Sequence, residues 1–312
     1  MNIKTRFKRL IINSITILLI VVSMTACKEN KVDSLGASQT FEVKDTLTSV
    51  NNVNVKVILL YGQSNATGIS QNAYLFGNDP DTYSHAYSGY DNIMINFITE
   101  NGLNSSNGEF VNVKLGQGGG SSFFGPEVGI ADNLYTRFPD EQIFIIKYSW
   151  GGSILHNQWL DGKSNRGELY NAAINFTKAS LEYLKSKGYI VEIAGLCWMQ
   201  GESDAVRGEY SSNYYNNTKR LAKFFREDLK KYYNNHLLFI DAGIEEIDFW
   251  PDYIKINDAK KKYSNENEYN IYFSSSELNL TTNIEPVDNP DVAHYDSLSM
   301  LKLGRKFASY IN

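Results

Sequence analysis

At 312 residues, with a composition 42% hydrophobic and 21% charged, the chain is neither a disordered nor a fibrous sequence and is long enough for one large α/β core. It holds 30 basic and 35 acidic residues; residues 1–26 carry four of the basic ones and none of the acidic, so the remainder, 26 against 35, has a formal charge of −9. That balance excludes polyanionic nucleic acid as a partner. No set of His, Cys, Asp and Glu has metal-ligand spacing. The run "GQGGGSS" at 116–122 lacks the lysine and helix of a phosphate loop, so no metal or other cofactor is expected.

The chain opens on Lys4, Arg6, Lys8 and Arg9, continues in an apolar run over 10–22, and reaches Cys27 through small residues, the pattern of an export signal over 1–26. The apolar run is shorter than the roughly 20 residues of a membrane span and is interrupted by Asn13 and Ser14. "SMTAC" at 23–27 resembles a bacterial lipobox, with Met24 where leucine is usual; the resemblance implies that Cys27 is lipidated and anchors the chain to a membrane. The polar residues over 27–53 then read as a tether. Cys197 is left as the one thiol of the mature chain, so no disulfide forms within it, and its setting in "IAGLCW" makes it a core residue.

From residue 54 onward apolar, β-branched runs alternate with helical patterns, which predicts βαβ units and a parallel sheet in a single domain over 54–312. The expected strands are 55–61, 111–115, 142–148, 191–198, 236–241 and 269–273. The expected helices are 126–138, 168–187, 210–233, 253–263 and 297–311. In the second of these Leu169, Ala173, Phe176, Ser180 and Leu184 recur on one face, which should cover the sheet. Residues 69–125, rich in Asn, Ser, Gly and Tyr, read as a long loop region holding one strand. Long ordered loops usually carry function.

Chemistry in an open parallel sheet gathers outside the carboxyl ends of its strands. Those ends here carry Gly62-Gln63-Ser64-Asn65, Ser149-Trp150-Gly151-Gly152-Ser153 and Gln200-Gly201-Glu202-Ser203-Asp204, and Asp291 to His294 stand just before the last helix. Ester hydrolysis requires a hydroxyl nucleophile, an imidazole to take its proton, an acid to fix the imidazole, and donors for the oxyanion. Each element alone is ordinary: a serine after a strand caps a helix, a glycine pair marks a turn, and a carboxylate starts a helix. Together, and in this order, they point to a hydrolase.

Five segments, "YGQSNATG", "FGPEVGIADNL", "IKYSWGGSIL", "GLCWMQGESDA" and "DVAHYDSLSMLKLGRKFA", resemble the successive motif blocks of the sialate O-acetylesterase-like branch of the SGNH hydrolases, the group containing carbohydrate esterase family six. The resemblance implies a flavodoxin-like, three-layer α/β/α fold with a parallel sheet of about five strands. It also implies removal of acetyl groups from carbohydrates without a metal.

Residue by residue, Ser64 matches the nucleophile and His294 the general base. Two acids compete for the third place. Asp291, three residues before His294, is favoured over Glu202, and the other is expected to support the site or touch substrate. The implied oxyanion donors are the backbone N–H of Ser64, that of Gly152 or its neighbour Gly151, and the side-chain amide of Gln200. Gln63, Asn65, Gly151, His156 and Trp159 are candidate substrate-binding residues. Ser153 stands where the family usually has threonine. "GPE" at 125–127 reads as an ordinary helix start.

The expected protein is thus an exported, lipid-anchored serine esterase at the periplasmic face or cell surface, acting on an acetylated carbohydrate through an acyl-enzyme. Two other readings are a non-catalytic carbohydrate-binding surface lipoprotein and an esterase for other esters.

Overall fold

The computed structural model describes residues 40–99 and 102–312. The expected export signal over 1–26, Cys27 and the tether as far as residue 39 lie outside the described residues. Residues 40–52, also read as tether, are laid against the domain. Phe41 meets the ring of Phe176 edge-on at 5.4 Å. Thr46 and Leu47 donate their N–H groups to the Tyr183 hydroxyl at 3.0 and 2.9 Å, and Val50 donates to the Lys187 carbonyl at 2.7 Å. Polar composition concealed this because the partners lie far along the chain.

The strands are β1 (Val53–Gly62), β2 (Ser70–Gln71), β3 (Tyr90–Thr99), β4 (Asn104–Ser105), β5 (Val111–Val113), β6 (Phe123–Phe124), β7 (Ile143–Ser149), β8 (Tyr189–Met199), β9 (Phe239–Ala242) and β10 (Asn270–Phe273). The helices are α1 (Ser64–Thr67), α2 (Asn72–Asn78), α3 (Pro80–Ser88), α4 (Pro126–Arg137), α5 (Glu168–Ser186), α6 (Glu202–Ala205), α7 (Gly208–Asp228), α8 (Tyr253–Ser264) and α9 (Ser297–Ala308). Eight strands form the main sheet, in the order β10-β9-β8-β1-β7-β3-β4 with β5 also on β3, where about five were expected. The six from β3 to β10 run parallel, and the short β4 and β5 pair antiparallel to β3 at its outer edge.

The region read as loop holds the one strand expected there, β5, within 111–115, and beyond it β3 and β4 together with α2 and α3. β3 escaped notice because Asn92 and Asn96 interrupt its apolar run. Asn96 is wholly buried; its amide donates to the Ser180 hydroxyl at 3.1 Å and its oxygen accepts from Ser106 at 2.7 Å. A buried amide satisfied in this way is tolerated inside a core strand.

Side-chain alternation sorts the helices into layers. Tyr148, Tyr61 and Trp198 stand side by side across β7, β1 and β8 and point to one face. There Tyr148 meets Phe176 of α5 at 6.2 Å and Tyr61 stacks on Phe225 of α7 at 5.2 Å. Their neighbours Lys147, Leu60 and Cys197 point to the opposite face, where Lys147 pairs with Glu127 of α4. The chain is a three-layer α/β/α domain. The predicted stripe of α5, Leu169, Ala173, Phe176, Ser180 and Leu184, is buried throughout.

α4 and α9 cross backbone against backbone. A Cβ added to Gly129 would lie 2.3 Å from the Leu301 carbonyl oxygen, and one added to Gly304 would lie 2.2 Å from that of Pro126. This close crossing fixes the start of α9, and with it the loop that carries His294. On the other side of the site, Gly62 is level with both Ser149 and Met199, so β1, β7 and β8 end together.

Candidate active site

The site begins where β1 stops. Gly62 has φ +146, and a Cβ there would sit 1.8 Å from the Met199 carbonyl oxygen, so only glycine lets the end of β8 come this close. Gln63 follows with its N–H on Met199 O at 2.9 Å, while its side-chain oxygen accepts from the N–H groups of Gly201 and Ser203 at 3.2 and 3.3 Å. Ser64 opens α1 and is half-buried between the buried Gln63 and Asn65. Among the described residues its N–H donates to no backbone carbonyl, as expected for the first residue of a helical turn.

Beneath α1, Lys147 donates to the Thr67 carbonyl at 2.8 Å, to the Gln117 carbonyl at 2.9 Å and to Glu127 at 2.7 Å. The Lys147–Glu127 pair is fully buried. Burial pushes the ammonium below its ordinary value against the opposing pull of Glu127. Glu127 also accepts from the Gly125 N–H at 2.7 Å, the helix-start role expected of "GPE". The pair ties the end of the Ser64 turn to α4.

His294 arrives in the loop before α9. Its Nδ1 lies 2.7 Å from Asp291 Oδ2; with Nδ1 protonated, Nε2 is the nitrogen left to accept a proton. Asp291 is further fixed by the N–H of Ala293, which donates to its Oδ1 at 2.8 Å. Burial acts to raise the Asp291 carboxyl, but the hydrogen bond and charge of His294 outweigh it and hold it below its ordinary value.

The residue beside Ser64 reaches this loop directly. Asn65 Nδ2 donates to the Ala293 carbonyl at 3.3 Å, and its Oδ1 accepts from the Tyr295 N–H at 3.2 Å. Asn65 therefore grips the peptide on both sides of His294. Among the described residues no hydrogen bond joins the Ser64 hydroxyl to His294; the link between their segments is made by Asn65, the next residue after Ser64.

The β8 turn supplies three more groups. Glu202 is buried and accepts from Asn65 Nδ2 at 2.8 Å through Oε1, while Oε2 has no hydrogen-bond partner among the described residues. Burial raises its carboxyl, against the Asn65 hydrogen bond, its own N–H, and the charges of Lys260 and His294. The carboxylate hydrogen-bonded to His294 is thus Asp291.

Gln200 departs from its expected role. It is buried, and its Nε2 donates to the Ser153 carbonyl at 3.0 Å and to Asp204 at 2.6 Å. Both amide N–H groups are engaged inside the protein, so its side chain fastens the β7 turn to the β8 turn and is not a free oxyanion donor.

The β7 turn carries Gly151 and Gly152, both half-buried; Gly152 has φ +67, a left-handed turn that suits glycine. Neither donates its N–H to a backbone carbonyl among the described residues. Trp159 corrects the sequence reading. It is wholly buried, its indole N–H donates to Ser153 at 2.9 Å, and its ring meets Trp198 edge-on at 4.9 Å, so it is core and touches no substrate. His156 is half-buried, stacks on Tyr210 at 4.6 Å and lies 3.3 Å from the Asn217 amide. Gln63 and Asn65, offered as substrate contacts, are buried and bonded within the protein; they position the turns.

Three charged residues here were not singled out from the sequence. Lys147 is described above. Asp204 accepts from Leu155 N–H at 2.8 Å, His156 N–H at 3.3 Å and Gln200; burial, larger than those bonds, lifts its carboxyl to about 6. Lys260 donates to the Gln200 carbonyl at 2.6 Å, to Asp241 at 2.5 Å and to the Ala242 carbonyl at 2.8 Å. A lysine inside "IFIIKYS" was the one legible signal, since a charge in an otherwise apolar strand requires a buried partner.

Residues 54–312 match the family described as carbohydrate esterase, sialic acid-specific acetylesterase. The chain belongs to this family. It is a carboxylic ester hydrolase, and the branch that its motif blocks resemble is the one the match identifies. No curated protein sequence matches the chain. Among solved structures it is similar to a protein from Arabidopsis thaliana, with 21% identity and a TM-score of 0.58 over 82% of this chain and 97% of that one. It is similar also to NanS, with 16% identity and a TM-score of 0.58 over 83% of this chain and 97% of NanS. At these identities the likeness is one of fold, and it agrees with the three-layer architecture of this acetylesterase-family domain.

Proposed function

We propose that the chain removes O-acetyl groups from a carbohydrate through an acetyl-enzyme on Ser64. The observation that carries this reading is the Asp291–His294 hydrogen bond of 2.7 Å on a loop gripped by the neighbour of Ser64. Ser64 Oγ attacks the acetyl carbonyl carbon as His294 Nε2 takes the hydroxyl proton. Asp291 holds the imidazole by Nδ1 and stabilises the imidazolium. The N–H groups of Ser64 and Gly152 receive the oxyanion. The sugar hydroxyl leaves with the proton from His294, leaving acetyl on Ser64; water, deprotonated by His294, attacks that ester and releases acetate. Carbohydrate as the acetyl carrier rests on the family description.

A fluorophosphonate probe tests the reading: it is expected to label the wild type and not Ser64→Ala, and equal labelling of both sinks the assignment. We propose further that the chain is exported and anchored by lipid on Cys27. Incorporation of a labelled fatty acid, abolished by Cys27→Ala, is the expected result, and an unlabelled wild type would contradict it.

A further inference from the structure

Glu202 is the residue of the site with no chemistry left to do once Asp291 is paired with His294, yet it is buried at its centre. Among the described residues its side-chain hydrogen bond is with Asn65 Nδ2, at 2.8 Å. An amide side chain has a donor end and an acceptor end, and the loop around His294 needs both: Nδ2 toward the Ala293 carbonyl and Oδ1 toward the Tyr295 N–H. Those two contacts set the amide's orientation, since a flip would place NH₂ against the Tyr295 N–H and oxygen against the Ala293 carbonyl. Glu202 Oε1 adds a third contact at the NH₂ end and holds the side chain in reach of the loop. The order of contact is Glu202 to Asn65, Asn65 to the peptides either side of His294, with Asn65 following Ser64 in the chain.

We infer that Glu202 is a positioning residue that acts through Asn65 to set where His294 stands relative to Ser64. The inference rests on the serine-esterase reading proposed above. It assigns the two acids different tasks: Asp291 needs its charge, whereas Glu202 needs an acceptor oxygen at Oε1. The contact to Asn65 is made by Oε1 alone, so an uncharged side chain that keeps an oxygen at that place can make it.

The test is a double-mutant cycle on a generic acetyl ester with Glu202→Ala, Asn65→Ala and the double variant, alongside Glu202→Gln and Asp291→Asn. A mis-set base costs on the order of a hundredfold. Glu202→Ala is therefore expected to lose about that in kcat with KM little changed, and the double variant should be no slower than Asn65→Ala alone. Glu202→Gln, which retains an acceptor oxygen, should recover most of the loss, while Asp291→Asn should not. Losses that multiply in the double variant would overturn the inference, as would Glu202→Gln falling as far as Asp291→Asn. Should Glu202→Ala not fold, the comparison of Glu202→Gln with Asp291→Asn decides alone. Ser64→Ala in the same assay separates the two levels: an active Ser64→Ala sinks the esterase reading, whereas an inactive one beside a multiplicative cycle sinks only the role of Glu202.

Discussion

Asp291 Oδ2 stands 2.7 Å from His294 Nδ1, three residues apart in one loop. The spacing lets a single turn present acid and base together, and the partnership holds the carboxyl in its charged form, below its ordinary value, despite partial burial. A carboxylate at this place selects the tautomer with the proton on Nδ1, and in the proposed reaction it balances the imidazolium.

Replacement of Asp291 by asparagine keeps the shape, removes the charge and favours the wrong tautomer. We expect kcat to fall about 10⁴-fold with KM little altered. Steady-state kinetics on an acetyl ester check this; a kcat near that of wild type would remove Asp291 from the triad.

Asp204 ties stability to pH. Its carboxyl is raised from 3.8 to about 6 in the folded chain, by burial against the opposing hydrogen bonds. The native state therefore binds this proton more tightly than the unfolded one, so the stabilisation is present at low pH and is lost as pH rises from about 4 to about 6, roughly 3 kcal/mol in all. Denaturant unfolding at a series of pH values is expected to show that decline in wild type and not in Asp204→Asn. Parallel curves for the two proteins would count against the shift.

Lys147 carries the floor of the Ser64 turn. Lys147→Met leaves Glu127 buried without its cation and strips a donor from the Thr67 and Gln117 carbonyls. The expected loss is about 3–5 kcal/mol of folding free energy, partly restored in the Lys147→Met, Glu127→Gln double variant. Urea titration measures it, and an unchanged midpoint for the single variant would show that the pair does not support the turn.

The parallel sheet and the site were legible to different depths. Strands such as β1 and β7 were readable because both their faces are covered, which leaves near-continuous apolar runs, and the motif residues fell at their carboxyl ends as that topology requires. β3 was hidden by Asn92 and Asn96, residues whose burial depends on Ser106 and Ser180 and not on local pattern. Ser64, Asp291 and His294 were legible as types at expected places. Gln200 and Trp159 were misread because a linear sequence shows that an amide or an indole is present but not which partner it has taken; here Asp204 and Ser153 had taken them. The clamp of Asn65 on the His294 loop spans most of the domain's length and left no signal in either segment.

An acetyl-enzyme on Ser64 is open to direct detection by rapid-quench mass spectrometry during turnover of an acetyl ester. One acetyl group is expected on the peptide containing Ser64, absent from Ser64→Ala, which should also release no acetate above background. Acetyl on another residue, or turnover by Ser64→Ala close to wild type, would contradict it.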